Sequence, residues 1–234
     1  MTKFLVSVTS VDEALLAIEC GADIIDIKNP EEGALGALPQ SEIKNIVLAV
    51  NNNRLTSATI GDLDMQPELL VCAIEHTANT GVDIVKIGFF GSDNHGKCIQ
   101  AMKPLAVSGV HIVAVLFADQ KPDFGLLAEF QEAGFYGVML DTVKKDGGSL
   151  LDYILPEDLQ YFVKAAQQHK LKCGLAGCLG LVHVPTLLLL SPDYLGFRGA
   201  LCVNFDRKAA LSSHEVYKFY QVLHKSNMFV SALA

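Results

Sequence analysis

Short apolar runs alternate with segments of helical periodicity along the whole chain. Eight strands are predicted: Phe4–Val8, Asp23–Ile27, Arg54–Thr59, Ile84–Gly88, His111–Phe117, Tyr136–Leu140, Lys172–Ala176 and Tyr194–Phe197. The segments Val11–Cys20, Ser41–Val50, Glu68–Thr80, Lys97–Ser108, Asp123–Ala133, Pro156–His169, Val184–Leu190 and His214–His224 predict a helix after each strand. Gly21, Gly81, Gly109 and Gly134 stand just before strands, where the residue closing a helix often takes left-handed backbone. Such alternation implies βαβ units and a parallel sheet. A doubly wound sheet would alternate in the same way. Eight full units in only 234 residues favour a closed (β/α)8 barrel, whose usual length is about 250 residues. No linker, repeat or low-complexity stretch divides the chain. Residues 1–234 therefore read as one α/β domain, a single TIM-barrel catalytic domain.

Composition narrows the picture. Half the residues are hydrophobic, enough for one large core. No apolar run reaches the roughly 18 residues of a membrane span. The start, Met1 to Thr9, lacks the layout of a signal peptide, so a cytoplasmic location without a membrane partner is expected. The net charge of −8 is spread thinly, with no basic block, which argues against nucleic acid as a partner. The six cysteines, Cys20, Cys72, Cys98, Cys173, Cys178 and Cys202, form no Cys-x-x-Cys pair and lack histidines at zinc-site spacing. They read as reduced core thiols in mostly apolar surroundings. No metal and no cofactor are expected. The run Leu187 to Leu190 fits a homo-oligomer contact and a short core helix equally well.

In a barrel, function collects at the C-terminal ends of the strands. The second strand ends Asp26-Ile27-Lys28. Side chains alternate along a strand, so with Ile25 and Ile27 toward the helices, Asp26 and Lys28 face the interior. Interior charges are costly unless paired or used. Lys86 sits near the end of the fourth strand, and Asp141 closes the apolar run of the sixth. Lysine-rich residues 144–146 follow in the next loop. The seventh strand runs into Gly177 and the eighth into Arg198-Gly199-Ala200. Barrels often hold phosphate between these two loops, so Gly177, Arg198 and Gly199 are candidate phosphate contacts. His111 opens the fifth strand at the far rim, His95, His183 and His214 sit near helix starts, and none of the four receives a role.

A lysine attacks a carbonyl only as the neutral amine, yet its reference pKa is about 10.4. Burial and a nearby cation lower that value. Lys28, with Lys86 two strands away, fits the requirement. The imine it would form is an electron sink that permits aldol addition or dehydration. Asp26 alone would favour the charged amine, so it reads as an orienting or proton-shuttling group. Lys86 and Asp141 are candidates for acid–base transfer. Together these residues describe a site like that of a Schiff-base aldolase acting on a small phosphorylated carbonyl compound.

Six stretches carry a more specific likeness: Asp23 to Pro30 followed by Gly33 and Gly36, Ser57 to Asp62, Val85 to Gly88, Met139 to Thr142 with Lys145-Asp146-Gly147, Leu171 to Gly177, and Arg198 to Ala200. In this order the chain resembles the (5-formylfuran-3-yl)methyl phosphate synthases of methanofuran biosynthesis. The resemblance implies condensation of two glyceraldehyde 3-phosphate molecules into 4-(hydroxymethyl)-2-furancarboxaldehyde phosphate, with loss of phosphate and water. It implies that Lys28 forms the Schiff base, that Lys86 transfers protons, and that Asp26, Asp141 and Lys145 complete the site. Lys145 is chosen over Lys144 by its spacing to Asp146-Gly147. The chain departs from the pattern after Ala200, where the family tends to be glycine-rich and this sequence reads Cys202-Val203-Asn204-Phe205. Two other readings share these residues: a different Schiff-base aldolase for a small phosphorylated sugar, and a non-catalytic barrel whose lysines only grip phosphate.

Overall fold

The computed structural model describes residues 1–91, 94–145 and 147–233, the last six as backbone. Eight parallel strands close into a barrel in sequence order. They are β1 (Lys3–Val8), β2 (Ile24–Ile27), β3 (Leu55–Thr59), β4 (Ile84–Gly88), β5 (His111–Phe117), β6 (Gly137–Asp141), β7 (Lys172–Leu175) and β8 (Tyr194–Phe197). Closure, which sequence could not test, is made by β1 against β8, with Leu5 beside Gly196 and Val6 beside Phe197. The outer helices are α1 (Val11–Glu19), α2 (Gln40–Val50), α3 (Pro67–Ala78), α4 (His95–Val107), α5 (Leu126–Glu132), α6 (Leu150–Tyr153), α7 (Pro156–Gln168), α8 (Val184–Leu188) and α9 (Ser213–Leu233). The four glycines expected to close helices all have positive φ.

Two differences from the expected elements have local causes. Asp23 was expected to open the second strand, but the strand begins at Ile24. The Asp23 carboxylate instead accepts the Phe4 N–H of β1 at 2.8 Å. Asp83 and Asp193 do the same below β4 and β8, accepting N–H groups of Thr56 and Cys173. These three aspartates satisfy backbone donors at the lower rim and thereby help fix the register. The short helix α6, absent from the sequence reading, is nucleated by a capping box in which Ser149 donates from backbone and hydroxyl to the Asp152 carboxylate.

Strand parity divides the core into two layers. Outward residues such as Val6, Ile25, Ile27, Val85, Ile87 and Leu140 pack under the helices. Inward residues Leu5, Ile24, Ile84, Val113, Met139 and Tyr194 fill the barrel below the mouth. That apolar plug closes the barrel from beneath. The buried charged side chains Asp26, Lys28, Lys86 and Asp141 stand above that plug, at the upper end of the barrel.

Candidate active site

The upper end holds a cavity of about 420 Å³, within the usual size of a small-molecule site. Lys28, Asp26, Lys86, Asp141, Lys145, Gly177, Arg198 and Gly199 all line it. All eight residues singled out in the sequence thus converge, although they come from five strand ends.

Asp26 is held from three sides. Its Oδ1 accepts from Lys86 Nζ at 2.8 Å and from Ser57 Oγ at 2.6 Å, and its Oδ2 accepts from Ser7 Oγ at 2.9 Å. Ser7 and Ser57 are the register neighbours of Asp26 on β1 and β3, so the parallel pairing itself brings these groups together. Burial works to raise the Asp26 carboxyl, but the Lys86 and Lys28 cations and the hydrogen bonds from Lys86 and Ser57 outweigh it. The carboxyl is held below its ordinary value. Its ion pair is made with Lys86 and not with Lys28, two residues along the same strand.

A second pair forms on β6. Lys145 Nζ donates to Asp141 Oδ1 at 2.6 Å, and the Thr142 N–H donates to the same oxygen at 2.7 Å. Burial again opposes ionisation, and Lys145, Lys28 and these hydrogen bonds overcome it. The loop is pinned by Asp119, whose carboxylate accepts the N–H groups of Val143 and Lys144, each at 2.9 Å. Pinning leaves Lys144 exposed and turns Lys145 inward. Of the two adjacent lysines, Lys145 is the one that lines the cavity; Asp146 lies outside the described residues.

Lys28 stands between the two pairs. It is only 7 % exposed, and among the described residues its amine makes no hydrogen bond or ion pair. Burial lowers its pKa; Asp141 raises it, Lys145 lowers it, and Asp26 and Lys86 act in smaller opposite senses. The result is a drop from 10.5 to about 8. Burial is thus the main activator, and Lys145 is a stronger depressing cation than the Lys86 expected to act. An amine of this kind is a poised nucleophile, and each flanking lysine–carboxylate pair can hold or pass a proton.

The candidate phosphate contacts divide. Gly177 and Gly199 line the cavity with little side-chain bulk. Arg198 is committed elsewhere. Its Nε donates to the Arg207 carbonyl at 2.9 Å, and Nη1 to Ser7 O at 3.1 Å and Glu13 Oε2 at 2.5 Å. Nη2 donates to Glu13 Oε1 at 3.2 Å and Ala209 O at 2.9 Å. A guanidinium has five N–H donors, and all five are engaged within the protein. Arg198 therefore clamps the segment after β8 and leaves no donor for a phosphate in this arrangement. In that segment Asn204 and Phe205 have φ of 55° and 58°, the region that favours glycine. Two non-glycine residues thus hold left-handed backbone in this segment. Two cysteines expected in apolar surroundings, Cys72 and Cys178, are exposed, and Cys178 lines the cavity.

The loop after β2 explains the paired glycines and Asp62. The Asp62 carboxylate accepts the N–H groups of Ala34 and Leu35 at 2.8 and 2.7 Å. Gly33 has φ +93°, and a Cβ there would meet Asp62 Oδ2 at 2.1 Å. The clasp requires glycine.

The family model described as 4-HFC-P synthase matches residues 4–220. The chain belongs to the 4-HFC-P synthase family. Membership makes it an enzyme. The (5-formylfuran-3-yl)methyl phosphate synthase of Methanocaldococcus jannaschii is 37 % identical over 233 residues, covering 94 % of this chain and 99 % of the relative. A Methylorubrum extorquens protein that carries the same name provisionally is 42 % identical over 92 % of this chain and 88 % of its own. Among solved structures, a 3-hexulose-6-phosphate synthase from Salmonella typhimurium superposes with a TM-score of 0.70, at 19 % identity, over 96 % of this chain and 100 % of that one. At that identity it shares the barrel alone. Family members are thus similar to this chain across nearly the whole barrel, from β1 well into α9. Among the described residues no helix is long and apolar enough to cross a membrane.

Proposed function

We propose that this enzyme joins two glyceraldehyde 3-phosphate molecules into 4-(hydroxymethyl)-2-furancarboxaldehyde phosphate, releasing phosphate and water, in the route to methanofuran-type cofactors. The observation that carries this reading is the Lys28 amine, buried and, among the described residues, unpaired between two lysine–carboxylate pairs. The names of the relatives supply the product.

In the proposed chemistry the neutral Lys28 amine adds to a triose carbonyl, and the carbinolamine loses water to give an imine. Protonation of that imine nitrogen makes the neighbouring C–H acidic. Lys86 passes its own proton to Asp26, to which it is hydrogen-bonded, and so takes that proton and later returns it; the resulting enamine carbon forms the new C–C bond with the second aldehyde. Asp141 and Lys145 serve the proton transfers of dehydration on the other side of Lys28. Gly177 and Gly199 give a substrate phosphate close access to backbone.

Product analysis tests the reading. Incubation with glyceraldehyde 3-phosphate should yield an ultraviolet-absorbing furan aldehyde phosphate with release of inorganic phosphate. A reversible aldol adduct without phosphate release would refute it in favour of a simple aldolase.

A further inference from the structure

A phosphorylated substrate needs a cation that is free to meet it, and Arg198 is not free. The cavity has another arginine. Arg207 lies on the segment after β8 and lines the same cavity as Lys28, Asp141, Gly177 and Gly199. We infer that Arg207 is the residue that grips the phosphate of the substrate, and that Arg198 and Glu13 position it. The inference rests on the reading of the substrate as a phosphorylated triose.

Three observations converge on Arg207. Among the described residues its guanidinium makes a single hydrogen bond, from Nη2 to the Gly33 carbonyl at 3.0 Å, so most of its five donors are available. It has no carboxylate partner among the described ion pairs, although it is partly buried. A partly desolvated guanidinium without a counter-ion is held at a cost that an incoming anion relieves. Burial lowers its pKa in the same sense.

The third observation is how firmly Arg207 is presented. Arg198 donates to the carbonyls of Arg207 and Ala209 from beneath, and is itself anchored by Glu13. Glu13 also accepts the Leu211 N–H at 3.0 Å, and Val203 N donates to Ala210 O at 3.0 Å. At the surface, Lys208 pairs with Glu31 at 2.6 Å. The segment is thereby tied to the loop that follows Lys28. Arg198 keeps its place in the family motif without touching phosphate, because it holds the backbone from which Arg207 projects.

Glycerol 3-phosphate reads this role apart from the imine, because it has the phosphate and no carbonyl. Its binding to the full-length protein is measured by titration calorimetry at low and moderate salt, for the wild type, Arg207→Gln and Arg207→Lys. Wild type should bind, more weakly as salt rises. Arg207→Gln should weaken binding by about tenfold or more, with Arg207→Lys between the two. Absence of wild-type binding, or Arg207→Gln binding within about twofold of wild type, would overturn the inference. So would Arg207→Gln binding as tightly as Arg207→Lys, which keeps the charge. Circular dichroism and the melting midpoint confirm that each variant is folded. Failure of the enzyme to make the furan product, with glycerol 3-phosphate binding and its dependence on Arg207 intact, would count against the proposed reaction and leave this inference standing.

Discussion

Replacing Lys28 by methionine should make the protein more stable while removing the proposed nucleophile. The charged amine is disfavoured at this position, chiefly by burial. The drop from 10.5 to about 8 corresponds to about 3 kcal/mol against the charged form. Methionine has a similar unbranched reach and no charge to desolvate. Because Lys28 borders an open cavity, about 3 kcal/mol is the upper end of the gain at pH 7, or roughly 6 to 12 °C in a domain of this size. The pH dependence is specific. The folded-state pKa lies below the unfolded value, so between about 8 and 10.5 the unfolded chain holds more protons at Lys28. Wild-type stability at this site therefore rises with pH across that window. Below about 8 the cost of the charge is fully present. Urea or thermal unfolding of both proteins at pH 7 and pH 10 provides the assay. The variant should be more stable at pH 7, and the gap should narrow by pH 10. A variant of equal or lower stability at pH 7, or a gap that does not change with pH, would refute the reasoning.

Other residues of the site make further predictions. The rate of imine formation should rise with pH and level off near 8, where Lys28 becomes neutral. Asp141 is the largest influence holding Lys28 protonated, so Asp141→Asn should move that inflection to lower pH; an alkaline move would contradict the assignment. Asp26→Ala strands the Lys86 cation and leaves Ser7 and Ser57 without their acceptor. It should destabilise the protein by about 3 to 5 kcal/mol in urea unfolding, as expected when a buried pair is broken. Lys86→Ala should slow turnover while still permitting a covalent adduct at Lys28; loss of the adduct in a folded variant would mean that the two lysines exchange roles.

The barrel was legible in the chain because its two signals are local and repeated. Short, continuously buried apolar runs mark the strands, and glycines at the helix ends mark the crossovers. The site was legible because Asp26, Lys28, Lys86 and Asp141 are charges in strands that otherwise bury only apolar groups. What stayed hidden depends on pairing between distant segments. The partner of Asp26 is set by the proximity of β2, β3 and β4, and no spacing along one strand distinguishes Lys86 from Lys28. Ser7 and Ser57 carried a faint signal, hydroxyls at inward positions of apolar strands. Asp119 and Asp62 sit in loops, where an acidic residue ordinarily means solvent, and only the fold shows them holding backbone N–H groups. Arg198 was chosen as a phosphate ligand from its place after β8. Glu13, far away in sequence, and the carbonyls of the following segment claim it instead.

Lys28 is proposed to form a covalent imine with the substrate. Borohydride reduction in the presence of glyceraldehyde 3-phosphate, followed by peptide mapping, tests it directly. A single stable adduct is expected on the peptide containing Lys28, and none in Lys28→Met. No adduct, or one mapped to Lys86 or Lys145 with Lys28 unmodified, would contradict it.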